Sequence, residues 1–562
     1  MSPFRIIIAL VVAPVLAVVC AGIGFLASTG FVIADLAAHH LLGLKHGVVS
    51  YVIVTVTGYL PIVFGLGGLI APFLTQEQIQ SVFGTARWAD TKELGSLRNR
   101  DRRGVLVGRD RGTKALLHYD GPSHLITMAP TRTGKGVGTI IPNLLTLERS
   151  IVCIDPKGEN ARITARARQS FGPVYVLDPF GVTGQASSCF NPFAHLDVDD
   201  PDIAEHAGAL ADALVHDEPG TSNDAHWNEE ARALIAGLIM MVIASEPPDR
   251  RHPATLRDYL TRSSKDLDAL FADMQNCAHC RGLIARAANR HLSKSDREAS
   301  GVLSSAQRHT HFLDSPRMER VMQRSDFDFC DLKRAIQTVF LVLPPDRLSS
   351  YARWLRLMIS QSLMEMARHQ TIAPPSAGLP TTAKTETKTN TNINTKNSGS
   401  AALRSGLHAN ANAVLFLLDE FACLGRLAAV ERAMGLMAGY GVQLWPILQD
   451  LHQLRSIYGK AANTFFANAG IVQIFGVNDI DTAELVARSV GKTDAHYMTR
   501  SFGEGKQTSS EHVAARNLIN ADEVMRLPRD MMILLRQGQR PARLRKIRYF
   551  EDKEFKGLFD PA

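Results

Sequence analysis

Cysteine is scarce in this sequence, with seven residues scattered over 562 positions. Cys20 lies within an apolar run, and nothing resembles the dense cysteine framework of a small secreted domain. The pattern excludes a disulfide-stabilised fold and favours a reducing compartment. Cys277 and Cys280 could form half of a zinc site, but tetrahedral zinc needs four ligands and no second pair stands nearby, so coincidence is the favoured interpretation.

A strong charge imbalance is also lacking. The chain has 62 Lys plus Arg against 55 Asp plus Glu, a net charge of +7 and a pI near 9.0. This mild excess suits an anionic partner such as DNA or lipid headgroups, but ordinary proteins show it too. With 45% hydrophobic residues, the chain has enough apolar material for at least one large core and for two or three domains.

Charged residues are missing altogether from two long segments, Ile6 to Ala34 and Gly47 to Leu74. A membrane-spanning helix needs only about 20 apolar residues, so residues 1–74 are predicted to form a two-helix transmembrane anchor with spans at about 6–34 and 47–74. A cleaved signal peptide is the alternative for the first span, although its apolar region is usually only ~7 to 15 residues long. Basic residues flanking the pair weakly place the bulk of the chain in the cytoplasm.

Short apolar runs that end in polar residues recur after Leu74 and alternate with helical segments. This pattern is typical of parallel strands buried on both faces and predicts a doubly wound α/β domain. The predicted strands are Leu125 to Ala129, Ile151 to Asp155, Val174 to Asp178, Val339 to Leu343, Val414 to Asp419, Val442 to Leu448 and Ile471 to Phe475.

Two intervals interrupt the alternation. Residues 198–328 have helical spacing throughout and are predicted to be an inserted all-helical domain. Residues 372–412 are rich in Thr, Lys, Asn, Ser and Gly and are predicted to be a disordered surface loop. The α/β domain then has two parts, residues 75–197 and 329–562.

The segment from Ala129 to Gly138 follows a predicted strand and precedes a helical run, which is the context of a phosphate-binding P-loop. Its amides would face the phosphates, Gly134 would permit close approach, and Lys135 would supply a cation. Ala129 replaces the usual first glycine and Gly136 replaces the usual Ser or Thr that binds magnesium, so a glycine-rich turn is the alternative. The predicted nucleotide-binding residues are Thr131, Arg132, Thr133, Gly134, Lys135, Gly136 and Val137.

Two carboxylates end the apolar run Val414 to Leu418, at the strand end where open α/β sheets bind ligands. Asp419 is predicted to organise Mg²⁺, and Glu420 to act as the general base on the attacking water. Gln449, at the end of the next predicted strand, could sense the γ-phosphate; a solvent-facing glutamine is the alternative. Lys135, Glu420 and Gln449 are therefore the predicted catalytic residues, with ATP and Mg²⁺ bound.

Together these segments resemble the TraG-like coupling proteins of type IV secretion. The resemblance runs from the apolar N-terminal segments nearly to the C-terminus. It is carried by Gly84 to Ala89, Ala129 to Gly138, Pro142 to Leu145, Asp155 to Glu159, Asp178 to Phe180, Phe190 to Pro192, Leu418 to Phe421 and Ser489 to Thr493. In that family the P-loop reads Lys-Gly, as Lys135 and Gly136 do here, and Asp419, Glu420 and Gln449 also match the family's nucleotide motifs.

The resemblance implies a multi-pass protein of the bacterial inner membrane that assembles as a homo-hexamer with a RecA-like motor domain. It would hydrolyse ATP and drive DNA, bound without sequence preference, or relaxase and effector proteins into the type IV secretion channel. Arg426, Arg432 and Arg488 are candidates for an arginine finger between subunits.

Two alternatives are a docking scaffold that uses ATP only for assembly and an FtsK-like chromosomal DNA translocase. A basic run near the C-terminus, from Arg536 to Arg548, could touch DNA or lipid, but a solvated strand face is the favoured interpretation.

Overall fold

A computed structural model of the protein describes residues 82–98, 103–215, 225–368, 413–503 and 506–561, with scattered helical positions between 19 and 41. Within these residues no helix is both long and apolar enough to cross a membrane. The predicted span 47–74 lies wholly outside the described residues, and the span 6–34 lies largely outside them. The transmembrane anchor therefore stays a prediction.

One large mixed sheet organises the part of the chain after residue 82. The strands are β1 Val105–Arg109, β2 Leu116–Tyr119, β3 His124–Met128, β4 Ile151–Asp155, β5 Val174–Leu177, β6 Thr338–Val342, β7 Val414–Leu418, β8 Val442–Leu448, β9 Ala469–Ile474, β10 Lys492–Gly503, β11 Lys506–Asn517, β12 Met531–Arg536 and β13 Ala542–Arg545. Among the described residues, the sheet has the order β2-β1-β13-β12-β9-β3-β8-β7-β4-β6-β5.

The seven strands from β9 to β5 in this order are all parallel. They coincide, within one or two residues, with the seven strands that the apolar runs predict. Strands β3, β4, β6, β7, β8 and β9 are buried along their whole length, as strands covered on both faces must be.

Antiparallel pairing extends this sheet beyond the strands that the apolar runs predict. β12 pairs with β9, β13 pairs with β12 and β1, and β2 pairs with β1. Strands β10 and β11 form a separate two-stranded hairpin. The sheet is therefore mixed rather than purely parallel.

The helices cover the faces of the sheet and fill the interval between β5 and β6. They are α1 Ile141–Thr146, α2 Glu159–Gln169, α3 Ile203–Leu214, α4 Ala225–Ser245, α5 Pro253–Leu260, α6 Ser264–Asn276, α7 Leu283–Leu292, α8 Asp296–Thr310, α9 Pro316–Met322, α10 Leu348–Arg368, α11 Ala428–Leu436, α12 Leu451–Tyr458, α13 Ala462–Ala467, α14 Ile480–Val490 and α15 Ala521–Met525. Between β5 and β6 the described residues form helices α3 to α9 and no strand. The domain limits 198–328 remain a prediction, as does the loop 372–412, which lies outside the described residues.

A buried histidine ties the P-loop strand to its neighbours. His124, at the start of β3, is 1% exposed. Its Nδ1 accepts a hydrogen bond from the Leu444 backbone N–H at 3.0 Å, so Nε2 carries the proton and donates to the Ala433 carbonyl at 3.2 Å. Burial lowers the pKa of His124 to about 4, and the hydrogen bond to Ala433 only partly opposes this.

The lowered pKa of His124 predicts that the folded protein loses stability in acid. The pKa of His124 is 6.5 in the unfolded chain and about 4 in the folded chain. At pH values between these two, the imidazole is protonated in the unfolded chain and neutral in the folded chain. His124 is therefore expected to cost roughly 3 kcal/mol of unfolding free energy as the pH falls through this window. Urea unfolding of full-length protein at several pH values measures it.

The matched comparison is His124→Asn, which retains an acceptor for Leu444, against His311→Asn, whose side chain is 80% exposed. The His124 variant should show a flatter pH dependence than wild type, and the His311 variant should not. Equal slopes for all three proteins would contradict this assignment.

Candidate nucleotide site at the ends of three parallel strands

The predicted P-loop connects β3 to α1 and has the backbone that an anion site needs. Arg132 and Gly134 adopt positive φ angles of 64° and 92°. The Thr133 hydroxyl donates to the Pro130 carbonyl at 2.6 Å, which closes the turn. A π-helical turn, Gly136–Ile140, then leads into α1. Since the first N–H groups of a helix lack partners within it, this turn presents donors and positive charge to an anion.

Lys135 lies against the two carboxylates that follow β7. Its Nζ is 2.6 Å from Glu420 Oε1 and 3.7 Å from Asp419 Oδ1. The three side chains are partly buried, with 12%, 29% and 15% of their surfaces exposed. The fold thus brings together a cation and two acids that are 284 and 285 positions apart in the sequence.

Glu420 has a backbone conformation that is unusual for its residue type. Its φ angle is 49°, in the left-handed region, and its N–H donates to Asp419 Oδ1 at 3.0 Å. A non-glycine residue in this region costs of order 1 kcal/mol or more and persists only where its surroundings impose it. The strained turn places the Glu420 carboxylate at Lys135 and beside Gln449.

Gln449 occupies the position between the P-loop and the acids. It follows β8, which is paired with β3 on one side and β7 on the other. Its Nε2 donates to Glu420 Oε2 at 3.3 Å, and its backbone N–H donates to Gln453 Oε1 in α12 at 3.0 Å. Gln449 therefore contacts both the turn that carries Asp419 and Glu420 and the helix α12.

A third acid, which is not among the predicted site residues, lies at the end of the strand next to β7. Asp155 ends β4, whose residue Ile154 is paired with Leu418 of β7. The Asp155 carboxylate is buried and accepts a hydrogen bond from the Ala161 N–H at 2.8 Å. Burial raises its pKa to about 6, with the charge of Asp419 acting in the same direction. A buried strand ending in an acid is the signal that could have identified it.

The pKa of Asp419 is itself raised, chiefly by burial, while Lys135 lowers it and Glu420 raises it. A hard divalent cation beside the phosphates would relieve this crowding of acids, because it stabilises the ionised carboxylate. The arrangement can hold a phosphate chain at the loop, a cation at Asp419 and a polarisable water near Glu420.

Two of the three predicted arginine candidates and most of the C-terminal basic run have partners within the described part of this chain, whereas the third candidate, Arg432, is exposed. Arg426 pairs with Glu431 and Arg488 with Glu484, and both are exposed. In the basic run, most side chains contact nearby residues. The pairs are Arg536 with Ser96, Arg540 with Glu93, Arg543 with the Trp88 ring, Arg545 with Asp530 and Arg548 with Glu551.

Comparisons with known proteins match the part of the chain that contains these site residues. The family model described as type IV secretory system conjugative DNA transfer matches residues 87–376 and 399–559. The conjugal transfer protein TraG of Escherichia coli is 27% identical over 508 residues, which cover 82% of this chain and 74% of TraG. Protein VirD4 of Agrobacterium fabrum is 27% identical over 521 residues, which cover 89% of this chain and 70% of VirD4.

Solved structures share the fold. The plasmid coupling protein TrwB in complex with ADP and Mg²⁺ superposes with a TM-score of 0.57 at 16% identity, covering 83% of this chain and 94% of that chain. The unbound bacterial conjugative coupling protein TrwBdeltaN70 gives the same TM-score of 0.57 at 16% identity and covers 96% of its own chain. The superposition establishes a common α/β architecture.

Gly476, just after β9, provides a test of how tightly the loop is packed. A Cβ on Gly476 would lie 2.4 Å from Thr133 Cγ2, and its φ is +66°; Gly538 has a φ of +69° with open space around it. Both alanine variants carry backbone strain, but Gly476→Ala should lose about 1 to 3 kcal/mol more unfolding free energy because it also clashes with the loop. Urea unfolding of the two variants measures the difference, and equal losses would refute the packing argument.

Proposed function

This chain belongs to the type IV secretory system conjugative DNA transfer family, and we propose that it is a membrane-anchored ATPase that drives substrates into a type IV secretion channel. The observation that carries the proposal is the convergence of Lys135, Asp419, Glu420 and Gln449 at the ends of β3, β7 and β8. These are the groups that a P-loop ATPase needs to bind a nucleotide and activate water.

In the proposed mechanism, the loop from Thr131 to Val137 cradles the phosphates of ATP with its N–H groups. Lys135 would exchange its contact with Glu420 for the β- and γ-phosphates. Glu420, relieved of that ion pair, would accept the proton of the attacking water. The 2.6 Å contact between Lys135 and Glu420 supports this exchange, because it places the proposed base, Glu420, next to the lysine that would bind the γ-phosphate.

The residues present fit Mg²⁺, although Gly136 offers no hydroxyl. Mg²⁺ binds through one or two carboxylates plus phosphate oxygens and keeps several waters, so Asp419 at the strand end provides a sufficient protein ligand. The crowding of Asp155, Asp419 and Glu420 supports a cation at this position. When bound, Mg²⁺ would neutralise charge developing on the phosphate oxygens. TrwB, which shares the fold, forms a complex with ADP and Mg²⁺.

The contacts of Gln449 support a role in coupling the state of the nucleotide to the position of helices. It contacts Glu420 through its side chain and Gln453 of α12 through its backbone. The start of α12 is in turn bound to α14, because the Leu451 N–H donates to the Thr482 hydroxyl at 3.0 Å. Loss of the γ-phosphate could therefore shift α12 and α14 through the side-chain amide of Gln449.

The transported substrate and the assembly belong to the same proposal. The family description and the name of TraG support conjugative DNA transfer, with DNA or relaxase and effector proteins as substrates and channel components as partners. We further propose a homo-hexamer in the bacterial inner membrane, anchored by spans at about 6–34 and 47–74. One of Arg426, Arg432 and Arg488 would then act across the subunit interface.

The ATPase prediction concerns Lys135→Ala and Glu420→Gln in full-length protein in lipid nanodiscs. Lys135→Ala should abolish ATP binding. Glu420→Gln should retain binding but lower kcat by roughly 10² to 10⁴, because it removes the base and leaves the loop intact. Binding of a fluorescent ATP analogue and phosphate release measure the two steps.

A Glu420→Gln protein that still supports substrate transfer in cells would favour the docking scaffold over the motor. Wild-type protein that neither binds nor hydrolyses ATP would overturn the proposed enzyme. The chromosomal translocase alternative is not favoured, since the matching family is described by type IV secretion and conjugative DNA transfer and TraG by conjugal transfer.

If DNA is the translocated polymer, its contacts are with phosphates and independent of base sequence. Binding of single- and double-stranded DNA should then fall steeply with salt, by about 10³ or more between 50 and 200 mM if six or more phosphates are contacted. Fluorescence anisotropy across a salt series measures it. Salt-independent binding would count against DNA as the substrate.

A further inference from the structure

A second lysine reaches the P-loop from the other end of the chain. Lys546 directly follows β13, and its backbone N–H donates to the Asp530 carbonyl at 2.8 Å. The next residue, Ile547, is buried, and its carbonyl oxygen lies only 2.8 Å from where a Cβ on Gly138 would stand. The C-terminal segment is thus packed directly against the turn that begins the P-loop helix.

The Lys546 side chain contacts the loop itself. Its Nζ donates to the Thr133 carbonyl oxygen at 2.8 Å and lies 4.9 Å from the centre of the buried Phe475 ring. Burial lowers the pKa of Lys546, and Arg548 acts in the same direction. Within the described part of the chain it forms no ion pair, unlike its neighbours Arg545 and Arg548.

This contact fixes the direction of one loop peptide. In a trans peptide, the carbonyl of one residue and the N–H of the next point in opposite directions. The Thr133 carbonyl and the Gly134 N–H belong to one such peptide, because the described residues contain no cis bond. A cation holding the carbonyl on one side therefore turns the Gly134 N–H to the opposite side and increases its positive polarisation.

We infer that Lys546 is a positioning residue of the nucleotide site: it holds the Thr133–Gly134 peptide so that the Gly134 N–H faces the phosphates of ATP. The inference rests on the proposed nucleotide-binding function. It explains why a half-buried ammonium group lies on a carbonyl and a ring rather than on an acid. A carboxylate there would cancel the positive field that the loop offers to an anion, whereas a carbonyl preserves it.

The test uses full-length protein in nanodiscs with Mg²⁺ and ATP as the probe. Lys546→Met keeps an unbranched side chain that is one atom shorter and removes its charge and its donor, and should weaken ATP binding by roughly 10- to 100-fold. Lys546→Arg keeps a charged donor and should restore binding to within about 3-fold. Lys556→Met, at an exposed lysine ten residues further on, is the control and should bind as wild type does.

Lys546→Gln, a neutral donor, serves if the methionine variant does not fold, and should give intermediate affinity. Thermal unfolding without nucleotide separates positioning from simple structural support. Equal loss of affinity and of melting temperature in the Met and Arg variants would overturn the inference in favour of a purely structural lysine.

Wild-type affinity in Lys546→Met, with binding lost in Lys135→Ala, would overturn the inference and leave the proposed ATPase intact. Failure of wild-type protein to bind ATP would instead overturn the proposed function, and the role of Lys546 with it. Weakened binding in Lys546→Met with rescue by Lys546→Arg would establish the positioning role.

Discussion

Parallel pairing of β3, β8 and β7 is the constraint on which the site depends. Met128 of β3 is paired with Leu448 of β8, and Leu418 of β7 is paired with Pro446, so the three strands end at nearly one level. The residues that follow them therefore meet at one edge of the sheet. A register slip of one residue would shift a strand by about 3.3 Å and exchange the side chains on its two buried faces, so the packing of both faces fixes the site geometry.

The central strands were predictable because strands buried on both faces read as continuous apolar runs. The run Val414 to Leu418 with its two terminal acids, and the P-loop around Lys135, could be identified for the same reason. Among the antiparallel strands, β2 and the hairpin of β10 and β11 could not be identified in this way. Leu116–Tyr119 is short and only half buried, and the hairpin from Lys492 to Asn517 is too polar to show an apolar pattern.

Other features depended on contacts between distant parts of the chain. Asp155 ends a predicted strand, but its position beside Asp419 depends on the pairing of β4 with β7, which the local sequence does not specify. The basic run suggested a solvated strand face, and that interpretation is wrong for Lys546, whose Nζ bonds to the loop. Charge density along a sequence does not tell which side chain turns inward, because that depends on the apolar neighbours, here Phe475 and Ile547.

The contact between Lys546 and Thr133 joins residues 413 positions apart. A ribosome adds residues in order, so the P-loop emerges while the strand and the lysine that support it have not yet been synthesised. At that stage Gly134 has no partner to orient its peptide, and the β9 edge of the sheet has no β12 to cover it. The proposed nucleotide site is consequently among the last parts of the molecule to mature, and its loop lacks this support until Lys546 has been made.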